Sequence, residues 1–194
     1  MRLPDSAHGD RPWRIHELTG DFTLEDVWAL PTPGGPDDFG RLVDSFADAG
    51  STLSLHGVPG LLWAIRERLG ALGWDDPETG IDARVPSLRH RLPVDLRDGD
   101  PGPEFTTLPF RSIYRTDDEW AAEMANKTVH GVLHLGWVPD DDGPGYHGQL
   151  AVLVKPNGWL GRLYMAGIAP FRHWLVYPQL MANVRRSWRA AQHA

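Results

Sequence analysis

Residues 128–138, TVHGVLHLGWV, decide the fold, because apolar and polar side chains alternate here as they do along a β-strand. Two histidines, His130 and His134, share one face of this strand with Val132. The opposite face carries larger apolar side chains, namely Val129, Leu133, Leu135 and Trp137. The stretch therefore predicts a β-strand whose two faces differ in chemistry.

Three more strand-like runs surround this stretch: residues 110–116 (FRSIYRT), 119–126 (EWAAEMAN) and 146–155 (YHGQLAVLVK). Short polar connections separate the runs, such as PDDDGPG at residues 139–145. Connections this short join strands that are antiparallel neighbours. The four runs therefore predict an antiparallel meander.

The C-terminal segment, from about Trp159 to Gln192, predicts a long helix with a wide apolar face. Pro170 and Pro178 interrupt it, and proline kinks a helix because it lacks an N–H and clashes with the carbonyl four residues earlier. We expect so apolar a helix to lie against the sheet. A curved sheet around a bent helix leaves a cavity, and such cavities suit small apolar molecules.

The N-terminal half predicts one strand and several helices. Residues 11–18 (RPWRIHEL) are interpreted as the first strand, and residues 21–30 (DFTLEDVWAL) as a short helix that Thr23 caps. Apolar residues recur at helical spacing in residues 39–46 and again in residues 61–72. Two further helices are therefore expected between the first strand and the meander.

Residues 73–104 are rich in Pro, Gly, Asp and Arg, which is typical of a linker, although RLPVDL at 91–96 predicts an edge strand. We nevertheless expect one domain over residues 12–192, after a flexible N-terminus at residues 1–11. The predicted fold class is α+β. It comprises a curved antiparallel sheet of about six strands gripping a long kinked C-terminal helix, with short helices inserted after the first strand.

Composition excludes several classes of function. The chain of 194 residues has a net charge of -7, which disfavours binding to the phosphate backbone of nucleic acids. It contains no cysteine, so disulfides, thiolate metal sites and cysteine nucleophiles are excluded. No apolar run approaches the roughly 18 residues of a membrane span, and no secretory signal is evident. We therefore expect a cytoplasmic protein that contacts neither membrane nor nucleic acid.

Three cofactor or metal motifs fail on inspection. Residues 143–148, GPGYHG, match the dinucleotide pattern G-x-G-x-x-G, but they contain a proline and lie between two strands. Residues 140–143, DDDG, lack the alternating spacing of a calcium loop. His130 and His134 share a strand face and His147 is nearby, but no ligand at fixed spacing completes a zinc site. We therefore predict no cofactor and no metal.

Residues 109–137 and 150–181 also carry a family resemblance, whose most specific words are KPNG, PFRH and VYP. From about Pro12 onward the chain resembles the DUF2867 family, a group of bacterial domains of unknown function. The resemblance implies a relation to START-like, helix-grip (SRPBCC) proteins, which hold hydrophobic ligands. It also implies association with a short-chain-dehydrogenase-like oxidoreductase, because some members look to be attached behind such a domain. The family offers no catalytic residues to carry over.

Candidate site residues lie on the predicted strands and near the predicted kink. Glu123, midway along a strand, is the candidate acid or base, since a buried carboxyl group favours its protonated form. His173 and Tyr177 are one helical turn apart, beside Arg172. The expected ligand-binding residues are Tyr114, Trp137, Arg172, His173 and Tyr177.

We interpret the chain as a binding module for a small apolar ligand. Two alternatives stay open: a cyclase, dehydratase or isomerase acting on such a molecule, and an accessory interaction domain whose core its own aromatic side chains fill. Nine tryptophans allow an exposed patch as readily as a filled core, so the oligomeric state is also open.

Overall fold

The computed structural model describes residues 1–52, 80–83, 85–105, 108–125, 129–141, 143–157 and 177–192. These residues form a mixed α+β fold around an open, five-stranded antiparallel sheet of order β1-β5-β4-β3-β2. The strands are β1 (Thr23–Ala29), β2 (Arg111–Arg115), β3 (Glu119–Ala125), β4 (Val129–Pro139) and β5 (Tyr146–Pro156). The helices are α1 (Ser6–Gly9), α2 (Ile15–Leu18), α3 (Phe39–Thr52), α4 (Val94–Arg97) and α5 (Tyr177–Gln192), with 3-10 turns at Pro36–Asp38 and Leu88–Arg91.

The predicted meander is confirmed, because β2, β3, β4 and β5 are successive antiparallel neighbours. Strand β1 pairs with the outer edge of β5, with Val27 opposite Ala151 and Trp28 opposite Leu150. The short helix predicted at residues 21–30 is therefore wrong. The edge of β5 offers backbone hydrogen bonds, and Thr, Val and Trp favour strands, so sheet pairing overrides the capping pattern. The described residues contain five strands rather than about six.

The first strand predicted at residues 11–18 is also wrong, because Ile15–Leu18 forms a single helical turn. Ile15 and Leu18 are both fully buried. Residues three apart point to opposite faces of a strand but to the same side of a helix. One helical turn therefore buries both side chains, which a strand could not do.

The edge strand predicted at residues 91–96 is replaced by the turn Leu88–Arg91 and by helix α4. Leucines recur every four residues along this segment and all are buried: Leu88, Leu92 and Leu96. Helical turns bring such a spacing to one side. The segment consequently packs over the sheet and does not extend it.

Helix α3 confirms the helical spacing of residues 39–46, whereas the helix predicted at residues 61–72 lies outside the described residues. The C-terminal helix is short, since α5 spans Tyr177–Gln192. Pro178 lies in its first turn, where a missing N–H breaks no intrahelical bond. Pro170 and its predicted kink fall outside the described residues. Among the helices that the structure describes, none has the length and hydropathy to cross a membrane.

Apolar layers cover both faces of the sheet. The cover face, which carries His130, Val132 and His134 of β4, packs against α2, the turn Leu88–Arg91 and α4. The helix face, which carries Leu135 and Trp137, packs against α3 and α5. Burial on both faces explains why β3 and β4 are almost entirely buried.

Candidate functional site

Two glutamates of β3 and two histidines of β4 meet on the cover face. Glu119 and Glu123 are four residues apart, as are His130 and His134, so each pair shares a strand face. The antiparallel register sets Ala121 opposite His134, which brings each glutamate diagonally next to one histidine. All four side chains are buried. The result is two carboxylate–imidazole dyads inside the protein.

The first dyad joins Glu119 and His134, whose Oε2 and Nε2 atoms are 2.9 Å apart. The Tyr114 hydroxyl donates to the same oxygen at 2.8 Å. The backbone N–H of Arg14, which precedes α2, donates to Glu119 Oε1 at 2.8 Å. Glu119 therefore connects three separate parts of the chain.

The second dyad joins Glu123 and His130, whose Oε2 and Nε2 atoms are 2.8 Å apart. The Ser87 hydroxyl donates to Glu123 Oε1 at 2.5 Å, and the backbone N–H of Leu88 donates to Oε2 at 3.0 Å. Ser87 also accepts from the N–H of Arg89 at 3.1 Å, so it is the N-cap of the turn Leu88–Arg91. Glu123 thus anchors the start of this turn to the sheet.

A chain of histidines continues from the first dyad toward the surface. Nε2 of His8 lies 3.1 Å from Nδ1 of His134, and Nε2 of His16 lies 3.3 Å from Nδ1 of His8. When the imidazoles are neutral and Glu119 is ionised, one arrangement satisfies every contact. Each Nε2–H donates inward, from His16 to His8, from His8 to His134, and from His134 to Glu119. His16, which is half-buried, forms the outer end.

The local environment fixes the charges along this chain. Burial by itself would raise the pKa of Glu119, but the hydrogen bond from His134, the attraction to that ring when it is protonated, and further bonds from Arg14 and Tyr114 lower it overall. Burial, together with His134 and His16, lowers the pKa of His8 to about 3. Burial and then the Glu119 charge raise the pKa of Tyr114. Glu119 is therefore an anion at neutral pH, His8 is neutral and Tyr114 is a hydrogen-bond donor.

The helix face holds a group of aromatic rings instead of charged groups. Trp137 is stacked on Tyr146, with ring centroids 6.3 Å apart, and lies 6.1 Å from Trp188 of α5. The indole N–H of Trp188 donates to the Pro33 carbonyl at 3.0 Å, and the Arg41 guanidinium lies 4.2 Å above the Trp188 ring. These contacts fix helix α5 on an aromatic floor.

One position at the centre of the helix face is incompletely covered. Leu133 and Val152 are directly opposite each other on β4 and β5, and both are only half-buried. They also pack against different clusters, since Leu133 contacts the one around Trp137 and Val152 contacts Val129 and Val154. Among the described residues, Leu133 and Val152 therefore belong to different apolar clusters although they are directly paired in the interior of the sheet.

His130, His134 and His147 do not come together as a metal site. His147 pairs with Asp140, with Nδ1 and Oδ1 2.5 Å apart, while His130 binds Glu123 and His134 binds Glu119. In the part of the chain that the structure describes, no three or more His, Asp or Glu side chains form a group that could hold a metal ion.

Comparison with family models gives a match over residues 18–179 to "Protein of unknown function (DUF2867)". The chain belongs to the DUF2867 family. No curated protein and no solved structure matches the chain. The DUF2867 match includes both dyads, whereas His8 and His16 precede it.

The structure separates the site residues that the sequence predicts for this DUF2867 domain. Glu123 and Tyr114 lie on the cover face, where Tyr114 binds Glu119 and not Glu123. Trp137 lies on the helix face. Arg172 and His173 are outside the described residues, and Tyr177 is the first residue of α5, with only its backbone described.

Sequence reasoning missed Glu119, His8 and His16. The sequence does contain a signal for Glu119. Glu119 and Glu123 are four residues apart on β3, as the two histidines are on β4, so the glutamates share a strand face. No such signal exists for His8 or His16. Short helical turns at residues 6–9 and 15–18 set these histidines against the sheet, and their mutual contact cannot be read from strand alternation.

Proposed function

We propose that this DUF2867 domain binds a small apolar molecule on the helix face of its sheet, beside α5. The observation that carries the proposal is the half-buried pair Leu133 and Val152 at the centre of the sheet. A molecule lying across both would remove their exposed apolar surface from water, at roughly 25 cal/mol per Å². Leu133 and Val152 belong to two separate clusters, so the same molecule would join them.

The surroundings of this pair suit an apolar ligand. Trp137 extends the same face toward Trp188, and Met181 of α5 packs there while it is only partly buried. In the proposal, sheet and C-terminal helix hold the ligand as the helix-grip resemblance implies. Arg172, His173 and Tyr177 would provide its polar contacts, and a short-chain-dehydrogenase-like oxidoreductase would be the partner.

The dyads support this binding role over the enzymatic alternative. Both oxygen atoms of Glu119 and both of Glu123 already accept hydrogen bonds from protein groups. A general acid or base must reach the proton that it transfers. These two carboxylates instead hold α2 and the turn Leu88–Arg91 to the sheet, so their role is structural.

A dye titration with a matched pair of variants tests the proposal. Anilinonaphthalene sulfonate, which fluoresces in apolar surroundings, would be titrated into the folded wild-type protein, Val152→Thr and Val94→Thr. Threonine keeps the shape of valine but adds a hydroxyl group, whose burial against an apolar ligand costs roughly 1–3 kcal/mol. We expect Val152→Thr to weaken the dye affinity by about 5- to 150-fold.

The Val94→Thr variant is the control, because Val94 is 73% exposed and lies on α4, which packs on the cover face and not on the helix face. Its dye affinity should equal that of the wild-type protein. Saturable binding that Val152→Thr leaves unchanged would place the dye elsewhere and contradict the proposal. A protein that stays folded and never saturates with dye would favour the accessory domain with a filled core.

A further inference from the structure

Residues 1–3 pair with the edge of β1, and residues 6–18 lie over the cover face of the sheet, on the opposite side from the proposed ligand. Backbone hydrogen bonds join Leu3 to Val27 at 2.8 Å and Ala29 to Met1 at 2.8 Å. Further in, the Gln149 side chain donates to the Ala7 carbonyl at 3.2 Å. We call residues 1–18 the N-terminal cover. Within it, His8 is buried and contacts both α2 and β4.

The groups around His8 do not stabilise a positive charge on its imidazole ring. His16 of α2 and His134 of β4 each contact one of its ring nitrogens, and their rings lie 4.9 and 5.0 Å from its own. The nearest carboxylate on this path, Glu119 of β3, binds His134 and not His8. On β5, the uncharged Gln149 side chain donates to the carbonyl of Ala7, the residue before His8. Among the residues that the structure describes, no carboxylate is therefore bonded to His8 to stabilise an imidazolium at its position.

Protonation also breaks the direction of the hydrogen-bond chain. A neutral His8 accepts at Nδ1 from His16 and donates at Nε2 to His134. An imidazolium donates at both nitrogens, so its Nδ1–H would face the Nε2–H of His16. His16 would have to change its tautomer or move away.

We propose that the N-terminal cover is an acid-sensitive latch, in which protonation of His8 releases residues 1–18 from the sheet while strands β3 to β5 stay folded. Release would expose Glu119, His134 and Tyr114 to solvent. The inference rests on the cover face alone and does not depend on the proposed ligand.

The direction of the pH effect follows from linkage. In the closed cover His8 stays neutral down to about pH 3, whereas a released imidazole titrates near its ordinary pKa of 6.5. Release is therefore coupled to the uptake of one proton by His8 at any pH between these two pKa values. The equilibrium constant for release should rise by up to about 10-fold per pH unit in the middle of that range, and less steeply near its two ends, for each proton taken up. His16, whose pKa is lowered chiefly by burial and next by His134, would add to the effect.

Hydrogen exchange measured by mass spectrometry tests the latch. Protection factors, corrected for intrinsic exchange, would be compared between about pH 6.5 and pH 5 for peptides covering residues 1–18 and residues 129–139. We expect residues 1–18 to exchange through an opening of lower free energy than residues 129–139 at each pH, and their protection to fall by about 15-fold between pH 6.5 and pH 5. Equal opening free energies for the two segments at each pH would mean that the cover opens only by global unfolding and would overturn the proposal.

Two variants assign the effect to His8. His8→Gln keeps a donor and an acceptor but cannot titrate, so the pH response of its cover should be smaller than in the wild type and limited to the share of His16. His90→Gln is the control, because His90 is 71% exposed, and it should behave as the wild type does. An unchanged pH response in His8→Gln would contradict the latch.

If His8→Gln does not fold, NMR titration of the wild-type imidazoles replaces it. The latch requires the His8 resonance to respond in the same pH range in which protection of residues 1–18 falls. A His8 that titrates near pH 6.5 while the cover remains fully protected would sink the proposal.

Discussion

Glu119 and Glu123 lie four residues apart on β3, and each carboxylate holds the beginning of a different helical segment against the sheet. Glu119 accepts the backbone N–H of Arg14 at the start of α2. Glu123 accepts that of Leu88 at the start of the turn Leu88–Arg91. The first N–H groups of a helix have no partner within it, and a carboxylate there both accepts the bond and complements the local positive charge. Two glutamates on one face of β3 therefore attach both α2 and the turn Leu88–Arg91 to the sheet.

We expect Glu123→Gln to destabilise the fold by roughly 1–3 kcal/mol, because a buried donor loses its charged acceptor and the new amide adds N–H groups without partners. Urea unfolding with an unchanged slope would measure the loss. Glu17→Gln is the matched control, since the Glu17 side chain is 50% exposed and pairs only with Arg14 among its described contacts. Glu17→Gln should change the free energy of unfolding by no more than about 0.5 kcal/mol. Equal losses of stability in both variants would contradict a special role for Glu123.

Ser87 and Glu123 should be energetically coupled. Ser87→Ala removes both the N-cap of the turn and one donor to the carboxylate, so a loss of about 1 kcal/mol is expected. In the double variant Ser87→Ala/Glu123→Gln, the losses should fall short of their sum by about 0.5 kcal/mol or more. A double-mutant cycle from urea unfolding gives this difference. Strict additivity would mean that the two side chains act independently.

The meander was predictable because each of its strands carries the alternation that burial requires, as residues 129–138 illustrate. Strand β1 was not, since Thr23 followed by Asp26 also fits a helix cap. Its pairing with β5 depends on an edge 120 or more residues away, as Thr23 opposite Val154 shows. Local capping preferences are worth about 1 kcal/mol, which a full set of ladder bonds and a buried Val27 exceed.

The candidate site was only partly predictable for the same reason. Glu123 and His134 could be assigned to a strand face from the sequence, because alternation fixes that face. Their separate partners could not, because diagonal pairing depends on the register between β3 and β4. His8 adds contacts across 126 residues of sequence, and no local pattern specifies them.

Stability should decrease as the pH falls below neutrality. The pKa of His8 is about 3 in the folded chain and 6.5 in the unfolded one, so the unfolded chain binds the extra proton. The contribution of His8 is therefore complete above about pH 6.5 and is lost as the pH falls toward 3, at up to about 1.4 kcal/mol per unit. The lowered pKa of Glu119 adds a second loss, which begins below its ordinary value of 4.5.

Urea midpoints measured at several pH values would show this slope. His8→Gln should flatten it above the range in which Glu119 titrates, whereas His90→Gln should leave it unchanged. Wild-type stability that is constant between about pH 6.5 and pH 5 would show that His8 is not held neutral by the fold.

Two glycines of β4 provide the sharpest test of how the cover packs. A methyl group on Gly136 would lie 2.7 Å from the Trp13 ring, closer than carbon atoms can approach, so Trp13 would have to move. We expect Gly136→Ala to cost roughly 1–3 kcal/mol through this overpacking. Gly131→Ala is the matched control in the same strand, because its new methyl group would meet Met124 Sδ at 3.6 Å and Cγ at 3.8 Å, which are ordinary contacts. Alanine restricts the unfolded chain, so Gly131→Ala should be neutral or slightly stabilising. Equal urea midpoints for the two variants would mean that Trp13 does not pack on Gly136.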